Sequence, residues 1–574
     1  MSTNYVYTEK NNCQDCYKCI RGCPVKAIKV EEQSASIIND FCICCGHCIT
    51  VCPAGAKKAK RDISTVKYLL NTHKRVIVSL APSWASEFPE FDRYQFVGLL
   101  KTLGFHEVSE TAIGAELVSD HVAKILANTD RGVFISPCCP SVLELVLKYY
   151  PQHADSIIKV DTPMLAHGKF LREHYGNDVK IVFIGPCIAK KKEVDQNAGI
   201  IDCAITFKRI RTWMEEEGLH DQPASAFARA EFAPFSANKG NLYPIAGGMI
   251  AGVRNNLAAK RVSYMSFSGI QTIIPVLDDL HKLGSKSPLF LELLACPEGC
   301  VNGPGTSLRN SAAVKRTAIL DSYDHHIASP APIALSASLH NEYNYSGTLP
   351  VAISEYTEEQ IAETLKSIGK TNKGDELNCA GCGYECCADF ARAVLDSKAE
   401  IKMCVSYMRR VAQDKASVLI QRMPYGVVIV DRNLRVVESN RIFAELAGPD
   451  AVLAYEAKPG LEGADLKQLV PYHQYFQNLF SSHEANLEKD IRTDSHLLHL
   501  SIFSIEGRNM LGAIVHNLTV SELNRDEIVK RVRAVIRENL KTVQTIAFHL
   551  GENASSMETM LNTIVDIQNQ SYDE

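Results

Sequence analysis

The chain has 574 residues, 20 of them cysteines, and a formal net charge of −5 with both signs interspersed. At about 150 residues per domain, this length predicts roughly four domains. No long basic block is present, which argues against partners such as nucleic acid or an anionic membrane surface and favours proteins and small molecules.

The cysteine content bears on the compartment and on the chemistry. No apolar run approaches the ~20 residues that a membrane helix needs, and the opening MSTNYVYTEKNNCQDC has no signal-type apolar segment, so we expect a cytoplasmic protein with no membrane contact. Thiols stay reduced in that compartment. Nine cysteines fall between Cys13 and Cys52 and five between Cys379 and Cys404, a clustering that favours metal ligation over disulfides.

Residues 1–62 carry two cysteine runs of identical spacing, C-x2-C-x2-C-x3-C-P. The runs are Cys13, Cys16, Cys19 and Cys23, then Cys42, Cys45, Cys48 and Cys52. Bacterial ferredoxins with two [4Fe-4S] clusters have this run, and the fourth cysteine of each run serves the other cluster. The predicted ligand sets are therefore Cys13, Cys16, Cys19 and Cys52 for one cluster and Cys42, Cys45, Cys48 and Cys23 for the second. Structural zinc is the alternative, although zinc sites rarely use this proline-terminated pair.

Residues 65–345 alternate strand-like apolar runs with helical stretches. The runs are RVIVSLA from Arg75, GVFI from Gly132 and IVFI from Ile181. This alternation predicts an α/β domain with parallel strands. Cysteine-bearing loops follow two of the runs, at the strand ends where open α/β sheets bind ligands.

Three cysteine loops in this region share small residues and prolines. They are SPCCP at 136–140, PCIAKKKE at 186–193 and ELLACPEGCVNGPG at 292–305. Glycine and proline around paired cysteines let the backbone approach a bulky inorganic cluster, with thiolates as its strong donors. The three loops together predict one metal site.

These loops resemble, in order and separation, the three signature loops of the [FeFe] hydrogenases, which have two α/β lobes around their active-site H-cluster, a [4Fe-4S] cubane bridged to a diiron unit with CO, CN and dithiolate ligands. The resemblance implies that Cys139, Cys187, Cys296 and Cys300 hold the cubane and that Cys300 bridges it to the diiron unit. It implies that Cys138 passes a proton and that Lys190 donates to an iron-bound cyanide. Ala81, Pro82 and Ser83 resemble the loop near the other cyanide. As alternatives, Cys138 is a structural thiol and Lys190 a solvated lysine.

Departures from the family pattern indicate slow chemistry. Leu294 and Gly185 stand where methionines are usual, and Pro304 breaks a glycine triplet. The helix that carries a proton-path glutamate in catalytic members has Ser-Asp-His-Val at 119–122, so we expect the relay to be missing, or rebuilt through Asp120 or His121. Slow turnover suits a sensor.

Residues 350–408 form another predicted cluster domain, with Cys379, Cys382, Cys387 and Cys404 as ligands of a third [4Fe-4S] cluster outside the active site. Cys386 is the alternative to Cys387, and zinc is the alternative metal.

The last part of the chain contains no cysteine after Cys404. Residues 415–520 begin strand, turn, strand, helix in a pattern that resembles a PAS domain. Residues 524–574 carry apolar stripes at helical spacing, which need a partner surface. The predicted fold class is therefore multidomain, α/β and α+β, with ferredoxin-like, two-lobed hydrogenase, small cluster, PAS and C-terminal helical parts.

The order of these parts suggests a sensory [FeFe] hydrogenase. In this hypothesis it slowly interconverts H2 with protons and electrons, and the clusters relay its redox state to the PAS part. Predicted partners are a ferredoxin-type redox protein, a downstream signalling protein and a second copy of the chain, bound through the PAS part or the C-terminal helices. The alternatives are a metabolic ferredoxin-linked hydrogenase and a non-catalytic iron-sulfur redox-signalling protein.

Overall fold

The computed structural model describes residues 4–256, 261–284, 286–323, 335–341, 348–352, 354–482, 484–493, 496–505, 509–518, 532–538 and 541. The chain divides into two compact units, Met1–Glu400 and Ile401–Glu574. The predicted small cluster segment 350–408 extends across this division. Within the described ranges, no helix combines the length and apolarity needed to cross a membrane.

The N-terminal segment is built from two short antiparallel ladders and two short helices. Val6–Thr8 pairs with Lys57–Ala59, and Ile28–Glu31 pairs with Ser34–Ile37. The helices Lys18–Arg21 and His47–Val51 each start inside one of the cysteine runs. This near-repeat of helix and strand follows the repeat of the two cysteine runs.

A four-stranded parallel sheet forms the first half of the α/β region. Its strands, in spatial order, are Glu107–Glu110, Val76–Leu80, Lys180–Gly185 and Cys203–Thr206. The two central strands are almost wholly buried because helices cover both faces, which explains their continuous apolar sequence.

A three-stranded parallel sheet forms the second half. Its strands, in spatial order, are Ser263–Ser268, Pro288–Leu294 and Gly132–Ile135. The central strand is buried along its whole length. Because parallel strands end at one edge, the loops after Ile135 and after Leu294 emerge side by side.

Helices pack around both sheets. They are Ile63–Thr72, Trp84–Glu87, Arg93–Thr102, Ala112–Ala127, Pro140–Tyr149, Pro163–Tyr175, Ala189–Gln196, Phe207–Glu216, Gly248–Asn256, Ile270–Asp278 and Ala312–Ser322. Helix Pro140–Tyr149 shows the local logic: proline occupies its first turn, where the missing N–H costs nothing, and Cys139 is its N-cap residue. Two α/β lobes of this kind agree with the predicted alternation.

The first unit continues beyond residue 350 with helices Glu358–Ser367 and Cys387–Leu395. Ile361 and Leu365 of the first helix pack with Cys387 and Ala391 of the second. The first helix begins with a capping box between Thr357 and Gln360, in which each side chain accepts from the other residue's main chain.

The second unit opens with helix Val405–Arg422 and continues into a five-stranded antiparallel sheet. The strands, in spatial order, are Val436–Ser439, Gly426–Asp431, Met510–Asn517, Leu497–Ile505 and Asn486–Arg492. Four helices lie in sequence between strands Val436–Ser439 and Asn486–Arg492. They are Arg441–Ala447, Pro449–Ala457, Leu466–Leu469 and Gln474–Ser481. Of the predicted tail 524–574, residues 532–538 are helical and most of the rest lies outside the described residues.

Asn440 joins the long helix to this sheet. Its side chain is fully buried, and its amide nitrogen donates to the carbonyl oxygens of Ile420 (3.0 Å) and Tyr425 (2.6 Å). Its carbonyl oxygen accepts from the main-chain nitrogens of Val427 and Phe443. One side chain therefore satisfies the end of the helix, the start of a strand and the first turn of the next helix.

We expect Asn440→Ala to loosen this junction, because it leaves several buried main-chain groups unpaired, at about 1–3 kcal/mol for each group. Hydrogen–deuterium exchange of strand Gly426–Asp431 in the full chain should accelerate accordingly. Asn433→Ala, in the exposed turn after that strand, is the matched control and should leave the exchange unchanged. Equal exchange in both variants would contradict this role of Asn440.

Candidate iron-sulfur site

The cysteines predicted for the active-site cubane come from the carboxyl ends of strands in both sheets. Cys139 follows Gly132–Ile135, Cys296 and Cys300 follow Pro288–Leu294, and Cys187 follows Lys180–Gly185. The structure therefore brings together, between the two sheets, three loops that span more than 150 residues of sequence from first to last.

The four thiols are electrostatic neighbours. Burial raises the pKa of Cys300, and negative charge on Cys139 and Cys187 raises it further. Burial also raises the pKa of Cys187 to about 11, with Cys139 adding to the rise and Lys190 opposing it. The pKa of Cys296 is far above its usual range because of burial and of the other three thiols. Four buried thiols with this mutual repulsion suit the positively charged iron–sulfide core of a cluster, which binds them as thiolates.

Cys138 lies beside this group with a carboxylate of the third loop. Burial, and then the charge of Glu292, raise the pKa of Cys138, while Lys190 opposes the rise. The Cys138 thiol donates to the sulfur of Met249 at 3.2 Å. The Glu292 carboxylate is 1% exposed and accepts from the main-chain nitrogens of Gly247 (2.7 Å) and Met249 (3.0 Å), yet burial still raises its pKa.

The Glu292 carboxylate is not among the residues through which the sequence allowed a rebuilt relay. Asp120 is exposed and forms an ion pair with Lys124, and His121 on the same helix is partly exposed. Glu292 had a signal in the sequence, since it opens the third cysteine loop. It is nonetheless a charged residue within an otherwise apolar strand, Pro288–Leu294, in which every residue is buried.

A tyrosine and a serine lie near the same thiol. The Tyr243 hydroxyl and the Ser119 hydroxyl are 2.7 Å apart and buried. Burial and then the charge of Cys138 hold the pKa of Tyr243 well above its usual range. Ser119 therefore serves as a hydrogen-bond partner at the position of the helix where we expected a changed relay.

Lys190 is buried and anchored rather than solvated. Its ammonium donates to Glu193 at 2.7 Å and to the hydroxyl of Thr162 at 2.8 Å. It also opposes the raised pKa values of Cys138, Cys139 and Cys187, so its charge acts on the cluster site. The ammonium of its neighbour Lys191 also has a charged partner, since it donates to the Asp62 carboxylate at 2.6 Å.

The loop Ala81, Pro82 and Ser83 lies at the end of strand Val76–Leu80, next to the Cys187 loop. The Ala81 nitrogen donates to the Ile184 carbonyl oxygen at 2.9 Å. A Cβ on Gly185 would lie 2.6 Å from the Phe183 ring and 3.0 Å from the Ala81 Cβ. Phe183 therefore fills the space of the side chain that Gly185 lacks.

The third loop packs on the second through its glycines. The Gly305 nitrogen donates to the Pro186 carbonyl oxygen at 2.7 Å, and a Cβ on Gly303 would lie 2.7 Å from the same oxygen. Leu294 is 3% exposed and belongs to the core of the three-stranded sheet. The close approach of these loops requires glycine at both positions.

The N-terminal cysteines fall into two groups. One cavity is lined by Cys13, Cys16, Cys19 and Cys52, together with Gln14, Asp15, Tyr17, Lys57 and several small residues. Cys48 is an electrostatic neighbour of Cys45, Cys23 and Cys42, whose charges add to the effect of burial on its pKa. Each group takes its fourth cysteine from the other run, as two-cluster ferredoxin domains do.

Cys44 is not an isolated thiol. Its side chain donates a hydrogen bond to Cys42, which lowers the pKa of Cys42 to about 7, with help from Lys148. Cys44 itself is 5% exposed and has a left-handed backbone, with φ of 54°. Cys44 falls outside the regular spacing of the two cysteine runs, and the structure gives it a hydrogen-bond partner in the second group.

The second N-terminal group adjoins the cubane site. Cys45 is among the charges that raise the pKa of Cys296, and Cys139 among those that raise the pKa of Cys45. Pro304 packs on Gly46, since a Cβ there would lie 2.5 Å from the proline ring. The proline that breaks the glycine triplet thus contacts the ferredoxin-like segment.

The segment around Cys382 and Gly383 lies near the first cysteine run. The Lys26 ammonium donates to the Gly383 carbonyl oxygen at 2.9 Å. Burial lowers the pKa of Lys26, and the negative charges of Cys23 and Cys382 oppose this lowering. The Cys386 sulfur accepts from the Asp389 nitrogen and so caps helix Cys387–Leu395.

Cys387 is 9% exposed and Cys379 is exposed. Cys404 is the N-cap residue of helix Val405–Arg422 in the second unit. Its place in the third ligand set stays a sequence prediction.

The arrangement differs from that of a single-ion site. Among the described residues, no three His, Cys, Asp or Glu side chains are placed to hold one metal ion. A cubane separates its thiolates more widely than one ion does, because each thiolate binds a different iron. The cysteine-lined cavity and the glycine-rich loops fit such a cluster.

Three parts of the chain match described families. Residues 74–304 match the family "Iron only hydrogenase large subunit, C-terminal domain", residues 5–53 match "4Fe-4S dicluster domain", and residues 375–406 match "Putative Fe-S cluster". The chain is therefore hydrogenase-like over its α/β region, with iron-sulfur segments on both sides.

The curated relatives include two hydrogenases. The NADP-reducing hydrogenase subunit HndD of Solidesulfovibrio fructosivorans is 25% identical over 370 residues, covering 52% of this chain and 62% of the relative. Iron hydrogenase 1 of Clostridium pasteurianum is 24% identical, covering 51% of this chain and 62% of the relative. The chain thus spans less than two thirds of each. Nuclear prelamin A recognition factor of Xenopus laevis is 22% identical, covering 49% of this chain and 77% of the relative.

Among solved structures, the chain is similar to a hydrogenase and to a PAS domain at low sequence identity. A variant of the [FeFe]-hydrogenase HydA1 from Chlamydomonas reinhardtii is 17% identical with a TM-score of 0.37, covering 46% of this chain and 89% of that chain. The PAS domain of an HTR-like protein from Haloarcula marismortui is 16% identical with a TM-score of 0.15, covering 20% of this chain and 97% of that chain.

We expect Gly46→Ala to weaken the contact between the ferredoxin-like segment and the third loop, because the added methyl group overlaps the Pro304 ring. Gly55→Ala is the matched control: its backbone is left-handed too, with φ of 59°, but its Cβ would meet nothing closer than 4.0 Å. Limited proteolysis should release residues 1–62 faster from the first variant. Equal release rates would contradict the close contact.

Proposed function

We propose that this protein is an [FeFe] hydrogenase of sensory type, which reacts slowly and reversibly with hydrogen and passes its redox state to a PAS-type signalling part. One observation carries the proposal. The thiols of Cys139, Cys187, Cys296 and Cys300 are buried electrostatic neighbours, and Cys138 and Lys190 act on the same group. The family match over residues 74–304 supports the same chemistry.

The proposed ligand roles are those that the resemblance to the [FeFe] hydrogenases implies. Cys139, Cys187, Cys296 and Cys300 would hold the cubane, with Cys300 shared with the diiron unit, and Lys190 with Ala81, Pro82 and Ser83 would surround that unit. When bound, the H-cluster would supply the iron at which hydrogen is split and its electrons are accepted. Lys190 suits an anionic ligand because its ammonium is a compact charge with several donors, held in place by Glu193.

Cys138 and Glu292 are the proposed proton carriers. Both groups have raised pKa values, so the thiol keeps its proton near neutral pH and the carboxyl can bind one. Glu292 can therefore accept a proton from Cys138 and return it, as reversible chemistry requires. Ser266 pairs in register with Glu292 on the edge strand of the sheet.

The electrons would leave through the N-terminal clusters. Cys45 adjoins Cys296, and Cys23 of the same proposed cluster shares Lys26 as a neighbour with Cys382. The cluster on Cys23, Cys42, Cys45 and Cys48 is thus the branch point between the active site and the third cluster. A ferredoxin-type partner is the proposed external electron carrier.

Helix Val405–Arg422 supports the signalling part of the proposal. Cys404, a proposed ligand of the third cluster, is its N-cap residue, and its last turn is tied to the antiparallel sheet. Gln421 donates to the Ser439 carbonyl oxygen at 3.0 Å and accepts from the Tyr455 hydroxyl at 2.6 Å. A shift of the helix start would therefore reach the PAS-type sheet, which we propose contacts a downstream protein or a second copy of the chain.

Infrared spectroscopy tests the proposed function. After anaerobic maturation with the diiron cofactor, the full chain should show bands of bound carbon monoxide and cyanide that change under hydrogen, together with a low turnover rate. No bands after maturation would favour a non-catalytic redox-signalling protein. Bands with fast turnover would favour a metabolic ferredoxin-linked hydrogenase.

We expect Glu292→Gln to slow hydrogen turnover about 100-fold, because general acid–base groups typically contribute 10²–10⁴-fold. The infrared bands and the iron content should stay as in the wild type, since glutamine keeps the shape of the side chain and its one amide oxygen can still accept from one of the Gly247 and Met249 nitrogens. Asp120→Asn is the matched control, as it removes an exposed carboxylate on a neighbouring helix. Equal rates in the two variants would contradict a proton role for Glu292.

A further inference from the structure

Lys57 is a buried lysine in the ferredoxin-like segment. It lies on strand Lys57–Ala59 and pairs in register with Thr8. The residue is 2% exposed, and it is among the largest fully enclosed side chains of the described chain. Its ammonium donates to the Thr8 hydroxyl and to the Ala35 carbonyl oxygen, each at 2.6 Å.

Both hydrogen-bond partners are uncharged. Among the described residues, no carboxylate lies within 4.0 Å of the Lys57 ammonium. The next residue, Lys58, is the ordinary case, since it is 41% exposed and lies 3.9 Å from Glu9. A buried charge without a counter-charge costs several kcal/mol, so its presence calls for a negative partner that the protein side chains do not supply.

The surroundings of Lys57 identify that partner. Lys57 lines the same cavity as Cys13, Cys16, Cys19 and Cys52. Burial raises the pKa of Cys19 to about 12 and that of Cys48 well above its usual range, and the Lys57 charge opposes the rise in both. Cys19 and Cys48 belong to different proposed clusters, so Lys57 acts on the two at once.

We propose that the Lys57 ammonium is a counter-charge shared by the two N-terminal clusters, which raises the reduction potentials of both. Four thiolates give each cluster a net negative charge, and reduction adds one more electron. A nearby fixed positive charge stabilises the reduced form more than the oxidised form. The pair of clusters is therefore easier to reduce than a pair with an aliphatic residue at this position.

This inference rests on the proposed cluster ligands and gives the pair a task within the proposed function. Oxidation of one hydrogen molecule releases two protons and two electrons. Each of the two N-terminal clusters can accept one of these electrons, so the pair holds both. With their reduction potentials raised, both clusters stay reduced after hydrogen has been oxidised and the protons have left.

Redox titration followed by electron paramagnetic resonance tests the inference on the reconstituted full chain. In Lys57→Gln and Lys57→Met, we expect two one-electron steps to shift so that reduction is at least tenfold less favourable, which is about 59 mV for each step. The other steps should stay as in the wild type. Lys58→Met removes the same formal charge from an exposed position and should shift no step by as much.

The inference would be overturned if the equilibrium constants of all four one-electron reduction steps stayed within threefold of the wild-type values, provided that iron and sulfide contents match. If the neutral variants fail to assemble the two clusters, Lys57→Arg decides: assembly with arginine supports the need for charge, and failure with arginine contradicts it. A chain without infrared bands would sink the proposed hydrogen chemistry but not this inference, because the titration needs only the N-terminal clusters.

Discussion

The structure depends on the cost of collecting thiols in a buried place. Burial raises the pKa of each thiol in the cubane site, and each neighbouring thiolate raises it further. A metal-free chain therefore keeps these groups protonated, whereas an iron cluster binds them as thiolates and releases the protons. The same conflict recurs around Cys45 and Cys48, so cluster binding and folding are linked across the first unit.

The way the loops meet explains the unusual residues in them. Gly185 leaves room that the Phe183 ring fills, and Pro304 packs on Gly46 of the ferredoxin-like segment. The helix that follows Cys139 extends this contact, since Lys148 donates to the Cys42 carbonyl oxygen at 2.8 Å. Pro304, a residue that departs from the usual pattern, thus holds the third cysteine loop against the ferredoxin-like segment.

The spacing of the cysteines made the cluster ligands predictable from the sequence, whereas the buried charged residues could not be predicted. Regular intervals and neighbouring prolines indicated the cluster ligands, and the alternation of apolar runs with helical stretches indicated an α/β domain with parallel strands. Glu292 and Lys57 carried no such signal, because one stands in an apolar strand and the other in AKKAK, a run typical of a solvated surface. Only the packing of strands from distant parts of the chain makes these two side chains buried. Asp120 and His121, through which the sequence allowed a rebuilt relay, share a helix with Ser119 but are exposed and partly exposed, respectively.

The most direct test of the account is an anomalous diffraction map at the iron absorption edge, from anaerobic crystals of the matured full chain. The account predicts an iron cluster bound by Cys139, Cys187, Cys296 and Cys300, with further clusters at the N-terminal cysteines. Iron at the N-terminal cysteines, with none between the two parallel sheets, would contradict it.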